Sequence, residues 1–150
     1  MTPDDTNGWV GTRQDGAVLT VTLDRPDRLN AQTPETWAAL AEVGRSLDDD
    51  VRIVVVRGEG RAFSAGLDRS LFTAAPGTEG ALADVALLPT DQAEEQIRGY
   101  QAGFRWLRSP GVVSVAAVQG HAIGAGCCRS PAPPCAAAVE PTGIVRRRES

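Results

Sequence analysis

Two glycine-rich stretches of this chain have the composition of a site that holds a ligand with backbone amides. Each follows an apolar run: "SAGLD" occupies residues 64–68 and "GHAIGAG" occupies residues 120–126. Small residues let a ligand approach the main chain closely, and two N–H groups aimed at one point stabilise negative charge on a carbonyl oxygen. The candidate donors are the N–H groups of Leu67 and Ala125, because each follows a glycine at the predicted start of a helix. The predicted chemistry is stabilisation of an oxyanion.

Other reactive side chains are scarce. The chain has no lysine, which excludes a lysine nucleophile or a Schiff base. One histidine, His121, and three cysteines without a C-x-x-C spacing predict that there is no metal site. The net charge of −4 argues against nucleic-acid binding, and no apolar run is long enough to cross a bilayer. The polar N-terminus is unlike a secretory signal, so we expect a cytoplasmic protein with neither nucleic acid nor membrane as partner.

The strands predicted around the two stretches indicate an α/β fold. Residues 9–26 predict a hairpin whose second arm, Val18 to Leu23, alternates apolar and polar residues, with Gly16 in the turn. The runs "VRIVVVRG" at residues 51–58 and "GVVSVAAV" at residues 111–118 predict two further strands. Because the first of these is apolar on both faces, we expect it to be fully buried in a parallel sheet.

Two amphipathic helices are predicted between these strands. Thr33 can cap the first helix, and Pro34 and Glu35 suit its first turn. Its apolar face comprises Trp37, Leu40, Ala41, Gly44 and Leu47. The second helix covers residues 90–109, and the stripe that we expect to pack in the core comprises Ile97, Tyr100, Phe104 and Leu107. Strand, small-residue loop and helix thus recur, and two such loops at the ends of neighbouring strands can converge on one ligand atom.

Four segments, in order, resemble the crotonase superfamily of enoyl-CoA hydratases and isomerases. They are "TLDRPDRLNAQTPETW", "VRIVVVRGEGRAFSAGLD", "RWLRSP" and "VAAVQGHAIGAG", within a region from Trp9 to Cys127. Singly each segment is modest, but four in the same order are specific. The resemblance implies a partial crotonase-like ββα spiral. It also implies an acyl-coenzyme A thioester substrate of fatty-acid metabolism, and water addition across the 2,3-double bond or a related enolate reaction.

The resemblance also implies roles for individual residues. In the family pattern the thioester carbonyl lies between the amides of the residue after "SAG" and of the residue after the first glycine of "GxG", here Leu67 and Ala125. The residues implied to bind the substrate are Arg28, Leu29, Asn30, Ala31, Ala65, Gly66, Asp68 and Gly124. We interpret Asp68 as structural, at the junction between loop and helix. Coenzyme A is part of the substrate, so no separate cofactor is predicted.

The sequence changes character at Cys128. In the hydratases of this family a catalytic glutamate stands three residues after the second oxyanion amide, and Cys128 does not replace a carboxylate as general acid/base near neutral pH. The second catalytic carboxylate has no counterpart. The following stretch, "RSPAPPCAAAVEPTGIVRRRES", is proline-rich, and "PAPP" would end a helix. We interpret it as the product of a reading-frame change in a GC-rich coding sequence; the alternative is a genuine divergent tail.

Three segments follow from these patterns. We predict a disordered N-terminus at residues 1–8, a partial crotonase-like domain at residues 9–128 and a disordered, out-of-frame tail at residues 129–150. The part of the family that builds the homo-oligomer would then be missing, and activity would be weak or absent. One alternative is a non-catalytic acyl-CoA-binding or pseudogene-like fragment. Another is a short-chain-dehydrogenase-like nucleotide site, because "GHAIGAG" also fits G-x-x-x-G-x-G; a Y-x-x-x-K pair is impossible without lysine.

Overall fold

The described part of the chain is built on one mixed β-sheet. The computed structural model describes residues 5–7, 9–73 and 82–123 of the chain. The strands, in chain order and in sheet order, are β1 (Asp5–Asn7), β2 (Val10–Asp15), β3 (Val18–Leu23), β4 (Ile53–Gly58) and β5 (Val113–Ala117). β1, β2 and β3 pair antiparallel, whereas β3, β4 and β5 pair parallel. The predicted α/β class, the hairpin and the parallel strands are confirmed.

The hairpin of β2 and β3 is closed by Gly16. Its φ of +54° is in the left-handed region that glycine adopts without steric cost. In β3 the side chains of Leu19, Val21 and Leu23 are buried, while the intervening ones are half-buried, as the alternation predicts. β1 belongs to the segment expected to be disordered. The structure differs for its three residues, because they pair with β2 and so cover a strand edge that would otherwise be open.

Helix α1 (Pro34–Arg45) begins where the sequence predicts. Thr33 and Thr36 form a capping box, in which each side chain accepts a hydrogen bond from the other residue's main-chain N–H. The buried face of α1 contributes Ala39, Leu40 and Val43 to the same apolar cluster as the buried side chains of β2, β3 and β4. This helix therefore provides a fixed support directly after the loop that carries the predicted substrate-binding residues Arg28 to Ala31.

Strand β4 is not buried on both faces, contrary to the prediction. Val54 is buried against the core, but Ile53 on the opposite face is 38% exposed. Its neighbour in the sheet, Val113 of β5, is 61% exposed. The reason is that the described helix residues in the core cluster all lie on the Val54 side. An apolar run shows that both faces can be buried, but not that the covering element is present.

The remaining helices connect β4 to β5. They are α2 (Ser70–Thr73), α3 (Leu82–Val85) and α4 (Thr90–Arg105). α4 packs on α1, where the rings of Trp37 and Tyr100 lie 4.9 Å apart and tilted. None of the helices in the described ranges is long and apolar enough to cross a membrane.

The core stripe predicted for residues 90–109 is confirmed in part. Phe104 of α4 and Leu107, in the 3-10 turn Trp106–Arg108 that follows α4, are half-buried against the core, but Ile97 is 44% exposed. α4 lies against α1 at Gly103, which is buried and where an added Cβ would meet the main chain of Trp37. Ile97 lies nearly two helical turns before that point, so it extends beyond the contact with α1.

The crossing of α1 and α4 predicts opposite effects for one substitution at two glycines of the same helix. A Cβ at Gly103 would lie 2.7 Å from the main-chain oxygen of Trp37, whereas nothing lies within 4 Å of a Cβ at exposed Gly99. Gly103→Ala should therefore lower the free energy of unfolding by about 1–3 kcal/mol through overpacking. Gly99→Ala, the control, should raise it by about 0.5–1 kcal/mol, because alanine favours the helix. Urea unfolding measures both, and destabilisation of similar size by the two changes would contradict this packing.

Candidate functional site

The two glycine-rich loops lie side by side, as predicted, as far as the second is described. The N–H of Phe63 donates to the carbonyl of Gln119 at 2.8 Å, and the N–H of Ser64 donates to the carbonyl of His121 at 3.0 Å. The N–H of Ile123 returns a hydrogen bond of 3.0 Å to the carbonyl of Ser64. These bonds extend the parallel pairing beyond the ends of β4 and β5. They bring the last described residue, Ile123, next to the loop that contains Gly66 and Leu67.

Gly120 allows this close approach. Its φ is +61°, and a Cβ on it would collide with the carbonyl oxygen of Arg61. A larger residue would therefore push the two loops apart. The side chain of the preceding residue, Gln119, holds them together, since its Nε2 donates to the carbonyl of Gly58 at 2.5 Å.

The backbone amides of residues 63–68 are hydrogen-bonded with one exception. The N–H of Ala65 donates to the carbonyl of Leu29 at 2.8 Å, that of Gly66 to Ser64 Oγ at 3.2 Å, and that of Asp68 to the carbonyl of Gln32 at 2.9 Å. Within the described residues the N–H of Leu67 has no acceptor. Leu67 is half-buried rather than enclosed. Since buried amides are almost always paired, this amide is the candidate within residues 63–68 for a hydrogen bond to a ligand, because no described residue accepts from it.

The direction of the Leu67 N–H is set by its own peptide plane. The other polar atom of that plane, the carbonyl oxygen of Gly66, accepts a hydrogen bond of 2.7 Å from the N–H of Gln32. In a trans peptide the C=O and the N–H point in opposite directions. The Leu67 N–H therefore points away from Gln32. Gly66 has a φ of +87°, a backbone conformation that favours glycine.

The predicted coenzyme A segment, Arg28 to Ala31, forms a tight left-handed turn. Leu29 and Asn30 have φ of +52° and +54°, a conformation that costs a residue such as leucine about 1–2 kcal/mol. The side chain of Asn30, 2% exposed, holds the turn. Its Nδ2 donates to the carbonyls of Glu59 and Ala62, both at 2.8 Å. The Asn30 side chain therefore holds protein backbone instead of facing solvent, whereas the Arg28 side chain is 66% exposed.

Asp68 is tied to the loop before α1 and to the start of α2. Its carboxylate accepts hydrogen bonds from the N–H and the hydroxyl of Ser70, at 3.0 and 2.8 Å, and from Arg25 Nη1 at 2.6 Å. The main-chain N–H of Ser70 is the largest cause that holds the pKa of Asp68 below its ordinary value. The Ser70 hydroxyl and the Arg25 guanidinium add to it against the opposing effect of burial. These bonds engage both carboxylate oxygens and join Asp68 to Arg25 and to the start of α2.

The described residues include most, but not all, of the predicted site. Those described are Arg28, Leu29, Asn30, Ala31, Ala65, Gly66, Leu67 and Asp68. Gly124, the second predicted amide donor Ala125, Cys128 and the predicted tail at residues 129–150 lie outside the described residues. Within the described ranges no group of three or more His, Cys, Asp or Glu side chains could hold a metal ion.

Two residues that the motifs did not single out are central to the geometry. Ser64 is fully buried and Gln32 is 2% exposed, and their side chains are joined by a hydrogen bond of 3.3 Å. A weak signal existed for Ser64, which is a hydroxyl within a run of small residues next to Gly66. No pattern in the sequence identifies Gln32, because its partners in the loop at residues 64–68 are 32 or more residues away along the chain.

The Asp68 contacts predict an acid-sensitive stability. A carboxyl whose pKa is lowered on folding stabilises the fold above its ordinary pKa of 3.8, and this contribution is lost as pH falls through the folded-state pKa. Asp68→Asn should lower the free energy of unfolding at about pH 7 by about 1.5–3 kcal/mol through weakened charge-assisted hydrogen bonds. The substitution should also make the free energy of unfolding fall less steeply as the pH is lowered towards about pH 3. Chemical denaturation across this range measures both effects.

The control for this prediction is Asp27→Asn. The side chain of Asp27 is 75% exposed and lies 4.0 Å from Arg28, so its loss should change stability little. An Asp68→Asn protein with the stability and the pH profile of the Asp27→Asn protein would show that the Arg25–Asp68 contact does not hold the loop.

Comparison with known proteins identifies the family. The profile of the enoyl-CoA hydratase/isomerase family matches residues 13–130. This range includes both glycine-rich stretches, and it ends close to Cys128, where the sequence changes character. The stretch at residues 120–126 that also fits a nucleotide-binding motif is thus part of the match to the hydratase/isomerase pattern.

Individual relatives agree with that match. Over 114 residues the chain is 39% identical to the probable enoyl-CoA hydratase EchA14 of Mycobacterium tuberculosis, covering 75% of this chain and 40% of that protein. A protein assigned to the enoyl-CoA hydratases from Thermobifida fusca YX, solved with acetoacetyl-CoA, is 41% identical; 79% of this chain superposes on 46% of it, with a TM-score of 0.69. An enoyl-CoA hydratase/isomerase from Mycobacterium paratuberculosis gives 33% identity, coverage of 82% and 46%, and a TM-score of 0.62.

The chain thus spans less than half the length of these relatives, 40% and 46% in the cases given. Sequence and fold nevertheless agree over most of its own length. The chain belongs to the enoyl-CoA hydratase/isomerase family of the crotonase superfamily.

Proposed function

We propose that this protein binds acyl-coenzyme A thioesters and holds the thioester oxygen with backbone amides. In this proposal the N–H groups of Leu67 and Ala125 donate to that oxygen, and coenzyme A enters as part of the ligand. The observation that carries the proposal is the Leu67 N–H, which has no acceptor in the described residues while its neighbours are bonded. The assignment of Ala125 rests on the family pattern at residues 124–126.

Two solved structures support the class of ligand. Both are of proteins assigned to the enoyl-CoA hydratases from Thermobifida fusca YX, one in complex with acetoacetyl-CoA and the other with coenzyme A. For this chain, the exposed Arg28 side chain offers a positive charge at the predicted coenzyme A segment. The anionic phosphates of coenzyme A are suited to contact with such a guanidinium.

The proposed site favours a ligand that develops negative charge on oxygen. When a proton leaves the carbon next to a thioester carbonyl, the electron pair moves onto that oxygen as an enolate. Amide N–H groups that are already in position stabilise this charge without reorganising, and each is worth far more in a partly desolvated loop than in water. The other hydrogen bonds of residues 63–68 keep the Leu67 amide fixed before the ligand arrives.

Proton transfer is the weaker half of the proposed chemistry. Cys128 occupies the position of the family's first glutamate, and positioned acid/base groups contribute about 10²–10⁴-fold to a rate. This observation favours a second candidate, in which the chain binds acyl-CoA without efficient turnover. Steady-state hydration of crotonyl-CoA separates the two candidates: an ordinary enzyme turns over at about 1–10³ per second, and non-catalytic binding requires a rate far below this.

The proposal predicts that the thioester carbonyl of the ligand contributes to binding. Calorimetric titration should give a dissociation constant for acetoacetyl-CoA about two- to tenfold lower than for free coenzyme A, equivalent to one added hydrogen bond of about 0.5–1.5 kcal/mol. Ala125→Pro removes one N–H and should reduce this difference. Ala125→Ser, the matched control, keeps the N–H and should preserve it.

Two results would contradict the proposal. One is the absence of saturable acetoacetyl-CoA binding to a sample that circular dichroism and cooperative unfolding show to be folded. The other is equal affinity for acetoacetyl-CoA and coenzyme A in the unmodified protein. If a folded Ala125→Pro variant keeps the full difference in affinity between acetoacetyl-CoA and coenzyme A, Ala125 does not belong to the proposed site. Leu67 would then be the one proposed donor.

A further inference from the structure

We infer that Gln32 and Ser64 are positioning residues that fix the peptide carrying the Leu67 N–H, so that this amide faces the acyl oxygen before ligand binds. The inference rests on the proposed function, since only a site for an acyl oxygen would use that amide. Neither side chain needs to touch the ligand. Both act through the backbone of residues 66–68.

Ser64 Oγ uses its entire hydrogen-bonding capacity within this loop. It donates to the carbonyl of Asn30 at 2.8 Å, and it accepts from the N–H of Gly66 at 3.2 Å and from Gln32 Nε2 at 3.3 Å. A hydroxyl has one donor and two acceptor positions, so these three bonds saturate it. Because Ser64 is 0% exposed, no water replaces a lost partner. The hydroxyl therefore holds the amide immediately before Leu67 and connects it to the turn at Asn30.

Gln32 contacts the same backbone on the other side of Leu67. Its main-chain N–H donates to the Gly66 carbonyl at 2.7 Å, and its carbonyl accepts from the Asp68 N–H at 2.9 Å. These two bonds flank Leu67 and leave its N–H on the far side of the chain. Together with the Ser64 hydroxyl they restrain both peptide planes that adjoin Gly66.

The side chain of Gln32 connects this arrangement to the core. Its Oε1 accepts a hydrogen bond of 3.0 Å from Trp37 Nε1, and Trp37 is a buried residue of α1. The amide group of Gln32 is thus held between the indole of Trp37 and the hydroxyl of Ser64. These two side-chain bonds restrain Gln32, whose main-chain N–H holds the Gly66 carbonyl. Through Gln32 the loop at residues 66–68 is thus connected to α1.

Such positioning matters because oxyanion donors act by being in place in advance. A misplacement of about 1 Å can cost about 10²-fold in rate. A purely structural role for Gln32 and Ser64 would lower stability and ligand binding as a whole. A positioning role would lower selectively the stabilisation of charge on the acyl oxygen, and this difference allows a test.

The variants are Ser64→Ala and Gln32→Met, with Gln96→Met as matched control. Gln96 is exposed on α4, and its side chain contacts only the Tyr100 hydroxyl among the interactions described. Trp37→Phe is an additional variant, which removes the indole N–H that Gln32 Oε1 accepts but leaves Gln32 and Ser64 in place. If Ser64→Ala does not fold, Trp37→Phe and Gln32→Met carry the expectations for the Leu67 resonance and for binding of the acyl oxygen, since both keep the Ser64 hydroxyl.

The first measurement uses the protein without ligand. Amide hydrogen exchange, resolved by NMR, should show the Gly66 N–H protected in the unmodified protein and exchanging at least about tenfold faster in Ser64→Ala, because its acceptor is gone. The Leu67 amide resonance should shift in Ser64→Ala and Gln32→Met but not in Gln96→Met. Unchanged Gly66 exchange and an unchanged Leu67 resonance would overturn the inference whatever the ligand.

The second measurement uses acetoacetyl-CoA, whose enolate form absorbs in the near ultraviolet. The ratio of enolate to keto form at saturation reports stabilisation of negative charge on oxygen and requires no catalytic glutamate. We expect the ratio to fall about tenfold in Ser64→Ala and in Gln32→Met, the effect of weakening one charge-assisted hydrogen bond. The affinity of these two variants for free coenzyme A should stay within about twofold of that of the unmodified protein. In Gln96→Met both the enolate-to-keto ratio and the coenzyme A affinity should stay within about twofold.

The outcomes distinguish this inference from the proposed function. If the unmodified protein enriches the enolate but the Ser64→Ala and Gln32→Met ratios do not change, the positioning role is wrong and the proposed function stands. An equal loss of enolate enrichment and coenzyme A affinity would also overturn it in favour of a general structural role. If the unmodified protein binds no acetoacetyl-CoA, the proposed function fails and the role toward an acyl oxygen fails with it.

Discussion

The hydrogen bond from the Gln32 N–H to the Gly66 carbonyl is the constraint on which the geometry of this site depends. It fixes one polar atom of the Gly66–Leu67 peptide, and planarity of the peptide then fixes the other. The result is that the direction of the Leu67 N–H is fixed, although no described residue accepts a hydrogen bond from it. An amide that is oriented but unpaired is suited to stabilise a charge that appears only when a ligand is bound.

The surrounding fold supplies the rigidity for this hydrogen bond. α1 packs into the core directly after Gln32, and Asn30 holds the preceding left-handed turn against the loop at residues 59–62. The turn includes a leucine with positive φ, a strained conformation that persists only when the contacts around it determine it. Arg25 and Asp68 close the other end of the same loop with an ion pair that is mostly shielded from solvent. Local strain and long-range hydrogen bonds are thus concentrated around one small stretch of backbone.

Local patterns in the sequence were sufficient for much of this fold. Gly16, the capping residue Thr33 and the alternation in β3 act over a few residues, so the hairpin and the start of α1 could be predicted. The glycines that mark the two loops were also recognisable, because a positive φ and close contact favour glycine. The exposure of Ile97 and Ile53 was not predictable, because it depends on which elements cover each face. The pairing of Gln32 with Ser64 depends equally on long-range contacts, and residue type alone gives no sign of it.

The most direct test of this account is the chemical shift of the Leu67 amide proton during titration with acetoacetyl-CoA, with free coenzyme A as the reference ligand. A new hydrogen bond to a partly charged oxygen should move this resonance downfield at saturation with acetoacetyl-CoA. Free coenzyme A, which lacks the thioester carbonyl, should leave the resonance nearly unchanged. The neighbouring Asp68 amide, already bonded to the Gln32 carbonyl, should move little with either ligand. A Leu67 resonance that stays in place while acetoacetyl-CoA saturates the protein would contradict the account.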